Sequence, residues 1–180
     1  MPVREILQLG NPILWEHSAP IEDVFAEDTL AVIRDLDETL ADFHRTHGFG
    51  RAIAAPQIGY LKRILFVRMQ PTGFCGALIN PIITSASDEQ IELWDDCFSF
   101  PDLLVKVKRA KEIEVAYLDQ RNQPQIIHAE GDFSELLQHE IDHLDGILSI
   151  QRAISSTSFS TRQEWERAEK ANNRSVKARL

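Results

Sequence analysis

The sequence predicts an α+β fold on three observations: a helical pattern near each end, a run of short strands between them, and strand connections too short to hold crossover helices. The strands are therefore expected to pair antiparallel. At 180 residues, 43% hydrophobic and 26% charged, the chain suits one globular unit with one core. A disordered or collagen-like chain is excluded, because either would need a far more biased composition than 8 Gly and 8 Pro provide.

Pro12 and Pro20 bracket an irregular entry, after which Asp28 or Thr29 can cap a helix. Leu30, Ile33, Leu36, Leu40 and Phe43 recur there at helical spacing, and the pattern ends near Thr46-His47-Gly48. Residues 48–59 are mostly small, with Pro56 inside, and predict a loop that approaches something closely. Short β-branched or alternating runs follow at 64–67, 77–82, 91–94, 103–108, 113–117 and 125–127, separated by turn residues such as Asp119-Gln-Arg-Asn122. Asp132 with Glu135 three residues on predicts a capping box. Leu136, Leu137, Ile141 and Leu144 then supply an apolar stripe, and Gly146 a stop. Ser155 to Ser158 reads as a loop before a last, weakly amphipathic helix.

The N-terminus Met1-Pro2-Val3-Arg4-Glu5 lacks the basic-then-apolar layout of a signal peptide, so a cytoplasmic protein with reduced Cys75 and Cys97 is expected. The net charge of −9 has the wrong sign for a chain whose main partner is a phosphate backbone, and no DNA or membrane partner is expected. The charge is uneven: residues 161–180 hold six basic and three acidic side chains and are +3, which leaves −12 for the rest. That tail reads as a solvated helix or as a transient contact with ribosomal RNA.

The strongest chemical signal is His139-Glu140-Ile141-Asp142-His143 inside the capped helix. A spacing of four residues is just over one helical turn, so His139 and His143 share a face and can offer two imidazoles to one metal ion. Glu140 can then take a proton from an attacking water. A third ligand is needed. Glu164, Glu166 and Glu169 lie downstream but in a charged tail; upstream, Cys97 stands in a turn after a strand and would complete a His2Cys set with one open position. From composition alone, a small core residue is the better reading of Cys97. In the loop Gly50 to Gly59, small residues permit close backbone approach, and Gln57 can donate to a developing oxyanion.

Three segments, Gly50-Arg-Ala-Ile-Ala-Ala-Pro-Gln-Ile-Gly59, Asp95-Asp-Cys-Phe-Ser99 and Gln138-His-Glu-Ile-Asp-His-Leu-Asp-Gly146, resemble in order and spacing the peptide deformylase motifs GxGxAAxQxG, EGCLS and QHExDHLxG. Ile6-Leu-Gln-Leu-Gly-Asn-Pro12 and Leu78-Ile-Asn-Pro81 extend the resemblance over roughly residues 5–150. It implies antiparallel sheets packed around a central metal-binding helix, with residues 1–150 as the catalytic domain and 151–180 as a loop and helical tail. It further implies one divalent ion held by Cys97, His139 and His143, Fe2+ in the cell and replaceable by Zn2+, Ni2+ or Co2+. Glu140 becomes the general acid and base, Gln57 and the Phe98 N–H hold the oxyanion, and the backbone of Gly50, Arg51 and Ala52 binds the substrate as an added strand. Arg109 and Asp142 are implied to pair behind the ligands and orient His139. His17, His44, His47 and His128 match no motif and are expected to be surface or structural. The implied reaction removes the formyl group from N-formylmethionyl nascent peptides.

The chain departs from the motifs at Ala52, Asp95, Asp96 and Phe98, and at Asp132-Phe-Ser-Glu135, where Leu-Leu-Ala-Arg is common; Leu103-Leu104 replaces a common Tyr-Arg. None removes a ligand or the base, and the reaction class is expected to be kept while the side-chain preference is shifted or the affinity for formyl-methionyl peptides is weakened. Two other readings stand beside this one: a non-catalytic paralogue that binds nascent chains or the ribosome, and a zinc peptidase or amidase acting on unformylated substrates.

Overall fold

The computed structural model describes residues 3–69 and 73–177, with backbone alone for 172–177. The basic residues Arg174, Lys177 and Arg179 of the tail therefore lie outside the described side chains. Helix α1 (Glu27–His47) is followed by strands β1 (Ala52–Ala54), β2 (Ile64–Met69), β3 (Phe74–Ala86), β4 (Gln90–Asp96), β5 (Leu103–Ala110), β6 (Glu112–Leu118) and β7 (Pro124–Glu130). Helix α2 (Asp132–Leu144), strand β8 (Phe159–Thr161) and helix α3 (Arg162–Lys177) complete the order. The fold is α+β, as the alternation of short strands with terminal helices predicts.

All strand pairs are antiparallel. They make a five-stranded sheet in the order β1-β2-β3-β6-β7 and a three-stranded sheet in the order β4-β5-β8. Strand β2 is buried on both faces. Leu65 and Val67 pack with Leu137, Ile141 and Leu144 of α2, whereas Ile64 and Phe66 pack with Val32, Ile33, Leu36 and Leu40 of α1. Each of these buried apolar side chains contributes about 1.5–3 kcal/mol of burial free energy, so the large sheet is held between two helices. The small sheet closes a third cluster, in which Val105 and Val107 meet Leu14, Phe100, Leu148 and Cys97. Helix α2 is thus central, buried along nearly its whole length.

Two local features fix α2. Gly146 follows it at φ 69°, and a Cβ there would sit 2.5 Å from the Trp15 carbonyl oxygen, so only glycine fits. Gln138 brackets the Ala110 peptide at the end of β5, accepting from its N–H at 3.1 Å and donating to its C=O at 2.9 Å. The Asn80 of Leu78-Ile-Asn-Pro81 lies at φ 52° where β3 shifts register, and its amide brackets the Ile21 peptide, both contacts at 2.8 Å.

Three expectations are corrected. The N-cap of α2 is Gly131 and makes no side-chain cap bond, because Glu135 is drawn to Arg51 instead of folding back on the helix end. Helix α1 starts one residue before the Asp28 cap position, after Ala26, again with no side-chain cap. Residues 52–54, read as loop, form edge strand β1 against β2. No described helix is long and apolar enough to cross a membrane.

Candidate metal centre and active site

Helix α2 presents His139 and His143 on one face, and the turn after β4 brings Cys97 to the same point. The three ligand atoms, all buried, lie within 4.8 Å of one another. His143 Nε2 is 3.1 Å from His139 Nε2 and 3.3 Å from Cys97 Sγ. Two imidazole nitrogens that face each other at this distance need a shared proton or cation between them. His139 Nδ1 lies 2.8 Å from Asp95 Oδ1, at ion-pair distance though off the hydrogen-bond angle. In the neutral ring, the carboxylate side of that contact favours the Nδ1–H tautomer, whose Nε2 lone pair would face the centre. The donor set, one thiol and two imidazoles with a fourth direction open to the cleft, fits a tetrahedral divalent ion.

The groups around the ligands are equally constrained. Gln57 is 1% exposed; its Oε1 accepts from Ala54 N–H at 2.9 Å, which turns the amide NH2 toward Cys97 Sγ at 3.6 Å and Ser99 Oγ at 3.4 Å. Ser99 N–H also donates to Cys97 Sγ at 3.5 Å, so a backbone and a side-chain donor converge on the sulfur. Behind the ligands, Arg109 donates to Asp95 at 3.1 Å and pairs with Asp142, which Arg152 also holds at 2.7 Å. Burial opposes the charge on Asp95, but His139 and Arg109 outweigh it and hold its pKa below the usual carboxylate range. Burial likewise works against charged His139, and Asp95 with Cys97 overcomes it, whereas burial and the neighbouring His139 push His143 well below the ordinary histidine value. Glu140 is nearly fully buried with Oε2 lacking a partner among the described residues, and burial raises its pKa to about 7.

A family model described as polypeptide deformylase matches residues 3–159 of the chain. The chain belongs to the polypeptide deformylase family. A peptide deformylase of Pelotomaculum thermopropionicum is 37% identical over 153 residues, covering 85% of this chain and 93% of that protein. Among solved structures, a peptide deformylase from Legionella pneumophila superposes with a TM-score of 0.78 at 29% identity, covering 99% of each chain. A Met-Ala-Ser-bound class I type b peptide deformylase from Acinetobacter baumannii gives 0.74 at 28% identity, over 84% of this chain and 98% of that one.

In this deformylase-family chain the candidate centre opens into a cavity of about 740 Å³. Gly50, Arg51, Ala52, Gln57, Cys97, Phe98, His139 and Glu140 all line it, whereas Arg109 and Asp142 lie behind the ligands. Strand β1 is the edge of the large sheet, so one of its sides has no neighbouring strand. Gly50 is at φ 123°, and a Cβ there would come within 3.0 Å of the Phe98 ring, which is itself stacked on Phe43 at 3.9 Å between centroids.

Sequence reading missed three contributors. Asp95, noted only as a motif departure, contacts His139 and Arg109 at once. Glu135, read as a cap, lines the cavity and pairs with Arg51. Arg162, read as tail charge, lines the cavity too, with Nη2 on Asp96 at 2.8 Å, Nε on the Pro101 carbonyl at 2.8 Å, and its guanidinium over Phe49. His44, expected to be a surface or structural residue, is exposed and borders the cavity. Only the acid in the second motif carried a sequence signal for its role; the two arginine partners are long-range pairings with no local pattern.

Proposed function

We propose that this chain is a metal-dependent amide hydrolase that removes the formyl group from N-formylmethionyl nascent peptides, acting in the cytoplasm. The observation that carries the reading is the buried Cys97-His139-His143 constellation opening, beside Glu140, onto a cleft bounded by an edge strand. Family membership supports the same reaction.

A divalent ion held by Cys97, His139 and His143 would polarise the formyl oxygen and lower the pKa of water; Fe2+ is the proposed cellular ion, with Zn2+, Ni2+ or Co2+ as substitutes. The chain's own groups do the rest. The backbone of Gly50 to Ala52, leading into the edge strand β1, receives the peptide as an added strand, which points the formyl end at the centre. Glu140, with a pKa near neutrality, takes the proton of the attacking water and returns it to the leaving amine as the C–N bond breaks. The Gln57 amide and the Phe98 N–H stabilise the oxyanion, and the bond from Ala54 keeps the amide turned the right way. Arg109 and Asp142, acting through Asp95, hold His139 in its ligating tautomer. The same proposal includes a transient ribosome contact by the basic tail, supported by its charge alone.

The test is anaerobic purification, metal analysis and assay on formyl-Met-Ala-Ser. The expected outcome is one metal ion per chain and turnover, with Glu140→Gln keeping the ion and losing roughly 10²–10⁴-fold in rate. Stoichiometric metal with no turnover, unchanged by that substitution, would instead mark a non-catalytic binder.

A further inference from the structure

The Arg51–Glu135 pair is an unusual object to find in the wall of a substrate cleft. Arg51 Nη2 donates to Glu135 Oε2 at 3.0 Å, with the glutamate side chain 8% exposed and the arginine 40% exposed. Both line the same cavity as Cys97, His139 and Glu140. Glu135 and Leu136 lie four residues before His139 and Glu140, so they sit one turn toward the N-terminus on the ligand-bearing face.

That position matters because the side chain of the formylated residue branches from the carbon bonded to the scissile nitrogen. With the amide held at Glu140, that side chain must run along α2 in one direction or the other. Toward the C-terminus, His143 and Leu144 are fully buried and leave no space. Toward the N-terminus the cavity is open, and its wall is Leu136, Glu135 and Arg51.

We propose that the Arg51–Glu135 pair sets side-chain preference at this position, favouring formylated residues whose side chain ends in an uncharged hydrogen-bonding group over purely apolar ones. The inference rests on the deformylase reading above. An apolar end pressed against the pair strips water from the partly exposed Arg51, covers what remains open of Glu135, and returns no hydrogen bond to either. A carboxamide end donates to Glu135 and accepts from Arg51, so both remain satisfied. The two charges cancel, so an anionic or cationic end meets one member that repels it and gains little. A site built around hydrogen-bonding groups discriminates against a shape-matched analogue lacking them by at least about tenfold.

The experiment compares kcat/KM on formyl-Gln-Ala-Ser, formyl-norleucine-Ala-Ser and formyl-Glu-Ala-Ser, whose first side chains have similar length. In the metal-loaded native protein the Gln substrate is expected to match or exceed the norleucine one and to exceed the Glu one. In Arg51→Leu/Glu135→Leu the Gln-to-norleucine ratio should fall at least tenfold, with metal content and melting temperature as folding controls. Should that variant not fold, Glu135→Gln, which keeps the shape and removes the charge balance, should raise the Glu-to-Gln ratio severalfold. Turnover with ratios that do not move between native and variant overturns this inference alone, as does a native preference for formyl-Glu over formyl-Gln. Failure of the metal-loaded protein to turn over any formyl peptide, formyl-Met included, overturns the deformylase reading and this inference with it.

Discussion

Asp95 touches His139 with one oxygen and Arg109 with the other, and Arg109 in turn holds Asp142. This relay fixes the imidazole before any ion arrives. Asp95→Asn keeps the shape but weakens the hold on Nδ1–H, so metal affinity is expected to fall about 10–100-fold, measured as loss of bound ion against a graded chelator. Unchanged retention would separate Asp95 from metal binding. At Gly50, φ 123° and a near-contact with the Phe98 ring leave no place for a methyl group. Gly50→Ala should therefore cost activity more than fold, because the shift falls on Phe98 beside the proposed ligand Cys97; kcat/KM against melting temperature measures the difference. The histidine pair and Glu140 were readable from spacing alone, whereas Cys97 was singled out as the proposed third ligand only by its place in a family motif. Asp96–Arg162 and Glu135–Arg51 were not, since each joins residues far apart in sequence, and only folding reveals that two departures from the family motifs each have an arginine partner.

The elements follow the sequence where periodicity is long. Strands β2 to β7 come from alternation and β-branched runs, and α2 from its apolar stripe. Three-residue β1 and β8 were invisible because they are too short to show alternation and are held by their partners, β2 and β5. The capping-box reading failed for a related reason: a tertiary ion pair outcompeted the local bond at the helix end. Helix α2 offers the sharpest test at this scale. Leu137 is fully buried between α2 and the large sheet, so Leu137→Ala should destabilise by about 2–5 kcal/mol in urea unfolding. Because Leu137 faces the core and not the cleft, the folded fraction should keep its kcat. A drop in kcat without a stability change would contradict this division of the helix.

The proposed ion takes two ligands from α2, which packs on the large sheet, and one from the turn that leaves β4 in the small sheet. It would therefore link the two sheets as well as serve chemistry. Binding that favours the native state stabilises it by about 4 kcal/mol at a thousandfold excess over Kd. For a chain of this size each kcal/mol is worth roughly 2–4 °C. Calorimetry after removal of the ion with a chelator should show a fall of about ten degrees or more, reversed by adding the ion back; equal melting temperatures would mean the sheets hold together without it.

The pairing of β8 with β5 and of Arg162 with Asp96 also orders events during synthesis. Every proposed ligand lies before residue 144, yet the small sheet from which the Cys97 turn departs has a bare edge until residues 159–161 arrive, and Asp96 waits for Arg162. A chain still emerging from the peptidyl-transferase end would have its ligands but not the finished wall of its cleft. A protein proposed to act on newborn chains thus completes its own site only as it ceases to be one.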